Sequence, residues 1–253
     1  MLSAIVIAKN EEARLAACLE SLSFADQIVV IVDSASSDRT RDIAGAYTPH
    51  VFVESWRGYA QTKQRALDRT SGDWVVWLDA DERVTPELAE EIRRATASPP
   101  GCAAYRIPRK AFFLGRWIRH GGWFPGYVVR VFQKSLGRFS ERRVHEGLEI
   151  DGRIGTLKAP ILHYTDDTLE HYLDKFNAYT GLAARDLSER RKTFRRTDLF
   201  FRPVFLFIKM FIVKLGFLDG MVGFILAVLS ANYVFTKYAK LWELEQERKP
   251  SAA

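Results

Sequence analysis

The sequence predicts an α/β fold, a mixed but mostly parallel sheet covered on both faces by helices, followed by a membrane-associating helical tail. Three observations predict it. Short, continuous apolar runs end in polar clusters, as strands buried on both faces do. Amphipathic stretches at helical spacing separate those runs. From Leu199 to Leu241 aromatic and aliphatic residues dominate.

Leu2 to Ile7 is short and β-branched, and it runs into Lys9-Asn10-Glu11-Glu12, which marks a strand and its end. Glu11 to Leu22 places Leu15, Cys18, Leu19 and Leu22 on one helical face. Ile28 to Val32 is a second strand that stops at Asp33, and Ser36-Ser37-Asp38 can cap a helix from about Arg39 to Ala46. Val51 to Val53, a helix from Tyr59 to Thr70 and the strand Trp74 to Leu78 follow, the last ending at Asp79. Thr85-Pro86-Glu87 opens a fourth helix, with proline in its first turn. After Pro99-Pro100-Gly101 the texture changes. Ala103 to Ile107 and Tyr127 to Phe132 predict later, partly antiparallel strands on an acceptor side, and Thr168 to Asp186 predicts a helix. The expected organisation is a catalytic domain over residues 1–198 and a membrane-associating region over 199–253.

Composition narrows the partners. A chain that is 47% hydrophobic and 27% charged is globular and not disordered. Its net charge of +6 favours an anionic partner: nucleic acid, a membrane surface or a phosphorylated substrate. Cys18 and Cys102 stand far apart in no metal-ligand spacing, which suits a reducing cytosol. Ser3 to Ala8 lacks the basic leader of a secretory signal, and none is expected. No nucleic-acid motif appears, and the basic residues gather beside the apolar tail, so nucleic acid is set aside.

In an open parallel sheet, ligands bind beyond the carboxyl ends of the strands. Lys9-Asn10-Glu11, Asp33 and Asp79 therefore converge on one crevice, where a carboxylate can accept hydrogen bonds from a nucleobase or from ribose hydroxyls. Asp79-Ala80-Asp81-Glu82 sets two carboxylates in alternate positions, a spacing that can present oxygens to a hard divalent cation bridging a diphosphate. Asp-x-Asp alone is common and often only starts a turn.

Three segments, Ala4 to Glu12, Val32 to Thr40 and Gly72 to Glu82, stand in an order and spacing that resembles the family 2 glycosyltransferases of GT-A fold, whose sheet is Rossmann-like. The resemblance implies that Asn10, Glu11 and Asp33 hold the nucleotide, with Asp79 near the ribose and diphosphate and Asp81 on Mg²⁺ or Mn²⁺. Lys63 and Arg65 lie on the predicted helix near that nucleotide, with a solvated face as the bland alternative. Ala35, Ser37 and Gln64 depart from the residues usual in the family, which are glycine, threonine and asparagine. Phe113 to Pro125, Arg130-Val131-Phe132, Val144-His145-Glu146 and Gly216 to Gly220 resemble lipopolysaccharide core glycosyltransferases of the WaaE/KdtX type. That implies a UDP-hexose donor, typically UDP-glucose, and a lipid-linked saccharide acceptor at the cytoplasmic face of a bacterial inner membrane. Gly126 stands where an acidic residue is expected.

An inverting transfer needs a base for the acceptor hydroxyl and positive charge on the departing diphosphate. Glu146 is the chosen base and His145 the alternative; a structural pair of the two is the bland reading. Trp123 can stack on a sugar or simply bury its indole. Arg130, Arg142 and Arg143 are candidates for phosphate or an anionic acceptor, against the alternative of exposed cations. His163, at the end of an apolar strand, reads as structural.

In the tail, Phe200 to Ile212 form a broad apolar surface broken by Arg202, Lys209 and Lys214, which suits the membrane interface. Phe217 to Phe235 approaches spanning length but carries Asp219 and Asn232, so monotopic attachment is expected over spanning. A helical hairpin packed on the protein is the other reading, and a homo-oligomer is compatible with it. Rival functions are sugar transfer to a polyprenyl phosphate and a non-catalytic membrane-bound scaffold.

Overall fold

A computed structural model describes residues 1–97, 101–140 and 147–247. Its elements are β1 (Leu2–Ala8), α1 (Leu15–Ser21), β2 (Gln27–Asp33), α2 (Thr40–Tyr47), β3 (Val51–Glu54), α3 (Tyr59–Asp68), β4 (Trp74–Asp79), β5 (Glu82–Val84) and α4 (Pro86–Ala97). After these come β6 (Ala104–Phe113), β7 (Arg116–Trp117), β8 (Gly126–Gln133), β9 (Gly137–Ser140), β10 (Gly147–Ile150), β11 (Ile154–Thr156) and β12 (Ile161–Asp166). Three helices follow: α5 (Leu169–Glu189), α6 (Arg196–Ile208) and α7 (Gly220–Glu247).

The main sheet has the order β3-β2-β1-β4-β8-β6-β12-β5. β1 is parallel to β2 and to β4, and β2 is parallel to β3. β8 runs antiparallel to β4 and to β6, as expected for the later strands. Side chains alternate between faces along a strand, and here both faces are apolar. Leu2, Ala4, Val6 and Ala8 of β1 join Leu15, Cys18 and Leu19 of α1 and Leu88 and Ile92 of α4 in one cluster. Ile5 and Ile7 face the other way, onto Ala60, Ala66 and Leu67 of α3. Each fully buried Leu or Ile contributes roughly 1.5–3 kcal/mol, so the continuous apolar runs hold the sheet between two helical layers.

The chain steps outward from β1 through β2 to β3, then returns to place β4 on the other side of β1. The strand order therefore reverses between β1 and β4, which is the switch point where such sheets bind ligands.

Two compact units divide the chain: Met1–Lys110 with Gly126–His163, and Ala111–Pro125 with Tyr164–Ala253. The expected boundary at residue 198 falls in the first turn of α6. Within the second unit, Phe113, Ile118, Met210, Leu226 and Ala227 form the buried core. α5 is capped by Thr168, whose side chain accepts from the His171 N–H. Between α6 and α7 lie a π-helical turn, Lys209–Val213, and a 3₁₀ turn, Gly216–Asp219. Lys240 of α7 donates to the Asn177 backbone and side chain (2.9 and 2.8 Å) and to Thr180 Oγ1 (2.9 Å), which ties α7 to α5. By length and composition Gly216–Glu247 can cross a membrane, with mean hydropathy 1.6 in its most apolar window and 17% of that window buried.

The first helix starts later than its apolar spacing suggests, at Leu15 and not near Glu11. Asn10 adopts a positive φ of 53°, and residues 11–14 form a turn whose backbone is held from outside. The Glu11 N–H donates to Thr40 Oγ1 (2.8 Å) and the Glu12 N–H to Asp38 Oδ2 (3.0 Å). Side chains of the second loop thus satisfy the backbone donors of the turn that precedes the helix.

Candidate active site

The first part of the site is a pair of loops at the ends of β1 and β2. Asn10 Oδ1 accepts from the Ser37 N–H (2.9 Å), and the Asn10 N–H donates to Ser36 Oγ (3.3 Å). The Arg39 N–H donates to Glu12 Oε2 (3.1 Å). Each such bond contributes about 0.5–1.5 kcal/mol, and together they fix the rim of the crevice. Asp33 is buried; the Ala35 N–H donates to its Oδ1 (3.0 Å) and Lys9 Nζ lies 3.1 Å from Oδ2. The Ala35 N–H, helped by Lys9 and opposed by burial, holds this carboxyl below its usual range. Because the contact uses backbone, alanine at position 35 serves as well as glycine.

The second part lies across the switch point, at the end of β4. Lys63 Nζ of α3 sits 3.0 Å from Asp79 Oδ1, and Arg130 Nη2 of β8 sits 2.8 Å from Oδ2. The same Arg130 nitrogen reaches Glu82 Oε1 at 2.6 Å, while Glu82 Oε2 accepts from the Asp79 N–H (3.2 Å). Both cations rest on the Trp77 ring, Lys63 Nζ 4.0 Å and Arg130 Cζ 3.5 Å from its centroid. The ring is itself anchored by Nε1 donating to the Val129 carbonyl (2.9 Å). Burial pushes the Asp79 carboxyl up, but Arg130 and Lys63 outweigh it and hold the group far below the usual range. Burial pushes the Glu82 carboxyl up against the pull of Arg130. Asp79 is thus a fixed, ionised acceptor whose side chain remains 36% exposed.

The third part is Asp81. His163 Nε2, on β12, lies 3.3 Å from Asp81 Oδ2. β12 pairs antiparallel with β5, with His163 opposite Glu82, so the pairing delivers the imidazole to the carboxylate. His163 Nδ1 is buried with no hydrogen-bond partner. Among the described residues no three His, Cys, Asp or Glu side chains converge on one metal position. One carboxylate oxygen and one imidazole nitrogen still suit a divalent ion of the Mn²⁺ or Mg²⁺ kind. Such ions usually keep waters and take further oxygens from substrate phosphates, and do not need an all-protein cage.

Asn10, Glu11, Asp33, Lys63, Asp79, Asp81 and Arg130 all belong to the first unit. Arg130, expected at phosphate, is only 2% exposed and spends its charge on Asp79 and Glu82. Trp123 belongs to the second unit, where its ring lies 6.4 Å from that of Phe113. Arg142, Arg143, His145 and Glu146 lie outside the described residues. Gln64, where the family usually has asparagine, accepts from the Phe139 N–H (2.8 Å) and donates to Asp68 Oδ1 (2.8 Å), a structural brace of β9. Sequence reasoning placed Lys9 at the crevice but missed Glu82, Trp77 and the partnership of His163 with Asp81. The apolar run before His163 marks a strand, but nothing local reveals that its neighbour is β5.

The sequence pattern of glycosyl transferase family 2 matches residues 3–159, from β1 through β11. The chain belongs to glycosyl transferase family 2. This family 2 glycosyltransferase is 33% identical over 254 residues to a Rhizobium meliloti protein named lipopolysaccharide core biosynthesis glycosyltransferase LpsC, covering 96% of this chain and 92% of that one. An uncharacterized glycosyltransferase of Rickettsia typhi is 30% identical over 256 residues, covering 96% and 87%. The fold is also that of the mannosyltransferase PcManGT from Pyrobaculum calidifontis, solved with GDP-Man and Mn²⁺. The TM-score is 0.56 at 13% identity, over 98% of this chain and 88% of that one. The sequence-based expectation of a GT-A sheet followed by an apolar helical region is thereby met.

Proposed function

We propose that this glycosyltransferase moves a hexose, glucose in the simplest case, from a UDP-sugar to a lipid-linked saccharide of the lipopolysaccharide core, with inversion at the anomeric carbon. The observation that carries the reading is the clamp on Asp79 beside the Asp81–His163 pair, set at the switch point of a family 2 sheet. The lipopolysaccharide core role named for the Rhizobium meliloti relative supports the acceptor class.

In this reading Asp33, with Asn10 and Glu11 on the facing loop, receives the nucleoside through hydrogen bonds to base N–H or ribose hydroxyl groups. Asp79 stays ionised because Lys63 and Arg130 neutralise it, and it orients the ribose–diphosphate side of the donor. Arg130 is a positioning residue, since its guanidinium is enclosed between Asp79, Glu82 and Trp77. Asp81 and His163 hold Mg²⁺ or Mn²⁺, which when bound supplies positive charge against the diphosphate. Glu146 takes the proton from the acceptor hydroxyl as that oxygen bonds to the anomeric carbon and the bond to the diphosphate oxygen breaks. His145 is the alternative base. Arg142 and Arg143 meet phosphate or an anionic acceptor.

The tail attaches the enzyme to the cytoplasmic face of the bacterial inner membrane as a monotopic protein. Supporting this, the α7 residues from Lys240 onward bond to α5 and to the segment before α6, while apolar residues of α6 and early α7 are exposed. The test incubates purified protein with UDP- and GDP-sugars, Mn²⁺ or Mg²⁺, and lipid A–core or polyprenyl phosphate acceptors. Hexose from UDP-sugar on the lipid A–core acceptor is expected. Sugar on polyprenyl phosphate alone, or no nucleotide release with any donor, contradicts the proposal.

A further inference from the structure

The second unit carries an open cavity of about 530 Å³ lined by Trp123, Tyr172, Met210, Ser230 and Tyr233, and its two cations are Lys209 and Lys214. Its construction is specific. The π-helical turn Lys209–Val213 and the left-handed Leu215 (φ 57°) end α6 early and bring both lysines to one mouth. Gly121 and Gly122 form the opposite wall with φ of 66° and 83°, a backbone that side-chain-bearing residues rarely adopt. This wall is pinned to the elbow formed by residues 209–219 between α6 and α7 by the Gly121 N–H donating to the Lys214 carbonyl (2.8 Å). Asp219 pins it again, accepting from the Arg119 and His120 N–H groups (3.3 and 2.8 Å), with His120 Nδ1 3.0 Å from its Oδ1. Asp219 is thereby satisfied inside the unit, and among the described residues neither Lys209 nor Lys214 has an ion-pair partner.

The surroundings say what reaches this cavity. Phe201, Phe205, Val213 and Met221 are 65–72% exposed, on α6, the elbow and the start of α7. Contiguous exposed apolar side chains with interspersed cations mark a surface that enters the headgroup region of a bilayer. An aromatic and aliphatic cavity opening beside that surface, with two uncommitted ammonium groups, matches a molecule with a phosphate at one end and hydrocarbon at the other.

The geometry points to a binding site for the phosphate headgroup of a membrane lipid, with Lys209 and Lys214 on the phosphate and Trp123, Tyr172, Met210 and Tyr233 along its apolar part. The site rests on the reading of the tail as membrane-attached, and it is separate from the sugar-transfer chemistry.

The test is co-flotation of the full chain with vesicles of phosphatidylcholine alone and of phosphatidylcholine containing phosphatidic acid. Wild type is expected to bind both and to prefer the phosphatidic acid vesicles. Lys209→Ala/Lys214→Ala is expected to lose about tenfold of that preference while still floating with neutral vesicles. Ser230→Trp, which narrows the cavity without changing charge, is expected to lose the preference too. The control pair Arg191→Ala/Lys192→Ala, away from the cavity, is expected to keep it. An equal loss in that control pair means general surface charge and overturns the site, as does an unchanged preference in Ser230→Trp. Full displacement by inorganic phosphate at matched concentration means a free-phosphate site and overturns the lipid assignment. Failure of wild type to float even with neutral vesicles overturns membrane attachment and the site together, while neutral binding without preference overturns the site alone.

Discussion

His163 Nε2 stands 3.3 Å from Asp81 Oδ2, although the two residues stand far apart in the sequence. The β5–β12 pairing makes this neighbourhood, and it gives the site a nitrogen donor beside its terminal carboxylate. Asp81→Ala is expected to abolish metal-stimulated turnover while the far-ultraviolet circular dichroism spectrum stays unchanged. His163→Ala should keep some activity but raise the Mn²⁺ concentration for half-maximal rate by about 10–100-fold. A His163→Ala enzyme with wild-type metal dependence would limit this histidine to bracing β12.

Arg130 and Glu82 form an ion pair with side chains only 3% and 0% exposed. Breaking such a pair by removing one partner leaves a buried charge and costs about 3–5 kcal/mol. Arg130→Met should therefore lower the urea midpoint sharply. The double variant Arg130→Met/Glu82→Gln should recover part of that loss, and equal losses in the single and double variants would show that the pair is not coupled.

Asp33 supplies an acid-sensitive contribution to stability. Its folded-state acidity is strengthened by the Ala35 N–H and Lys9, so the contribution is present above the unfolded carboxyl value and fades as pH falls through the lower folded value. Urea unfolding measured from neutral pH to below about pH 4 should show a shallower acid loss in Asp33→Asn than in wild type. An identical slope would remove Asp33 from that role.

Gln64 braces Phe139 and does not need to touch nucleotide. Gln64→Ala should cost about 1 kcal/mol of stability with little change in the KM for UDP-sugar. A large rise in KM at unchanged stability would assign Gln64 to the donor site.

The parallel half of the fold was legible because its strands are buried on both faces, so Leu2 to Ile7 and Ile28 to Val32 appear as unbroken apolar runs. Asp33 and Asp79 were legible for the same reason: each is the first charge after such a run. The electrostatic setting of Asp79 was not. Lys63 and Arg130 reach it from α3 and β8, and only packing on Trp77 reveals that Arg130 is enclosed. The start of α1 was misplaced because apolar spacing takes no account of Thr40 and Asp38, distant side chains that hold the preceding turn. The tail's composition announced an apolar surface, but the cavity depends on a π-turn and on Asp219 bonding to backbone at Arg119 and His120, which periodicity does not encode.

Titrating Mn²⁺ into protein with UDP, followed by electron paramagnetic resonance of the free ion, tests the proposed donor site without requiring an acceptor. Wild type should bind Mn²⁺ far more tightly with UDP than without it, and the Asp81→Ala/His163→Ala variant should lose that enhancement. Equal UDP-assisted Mn²⁺ binding by the variant and wild type would contradict the assignment of this pair as the cation site.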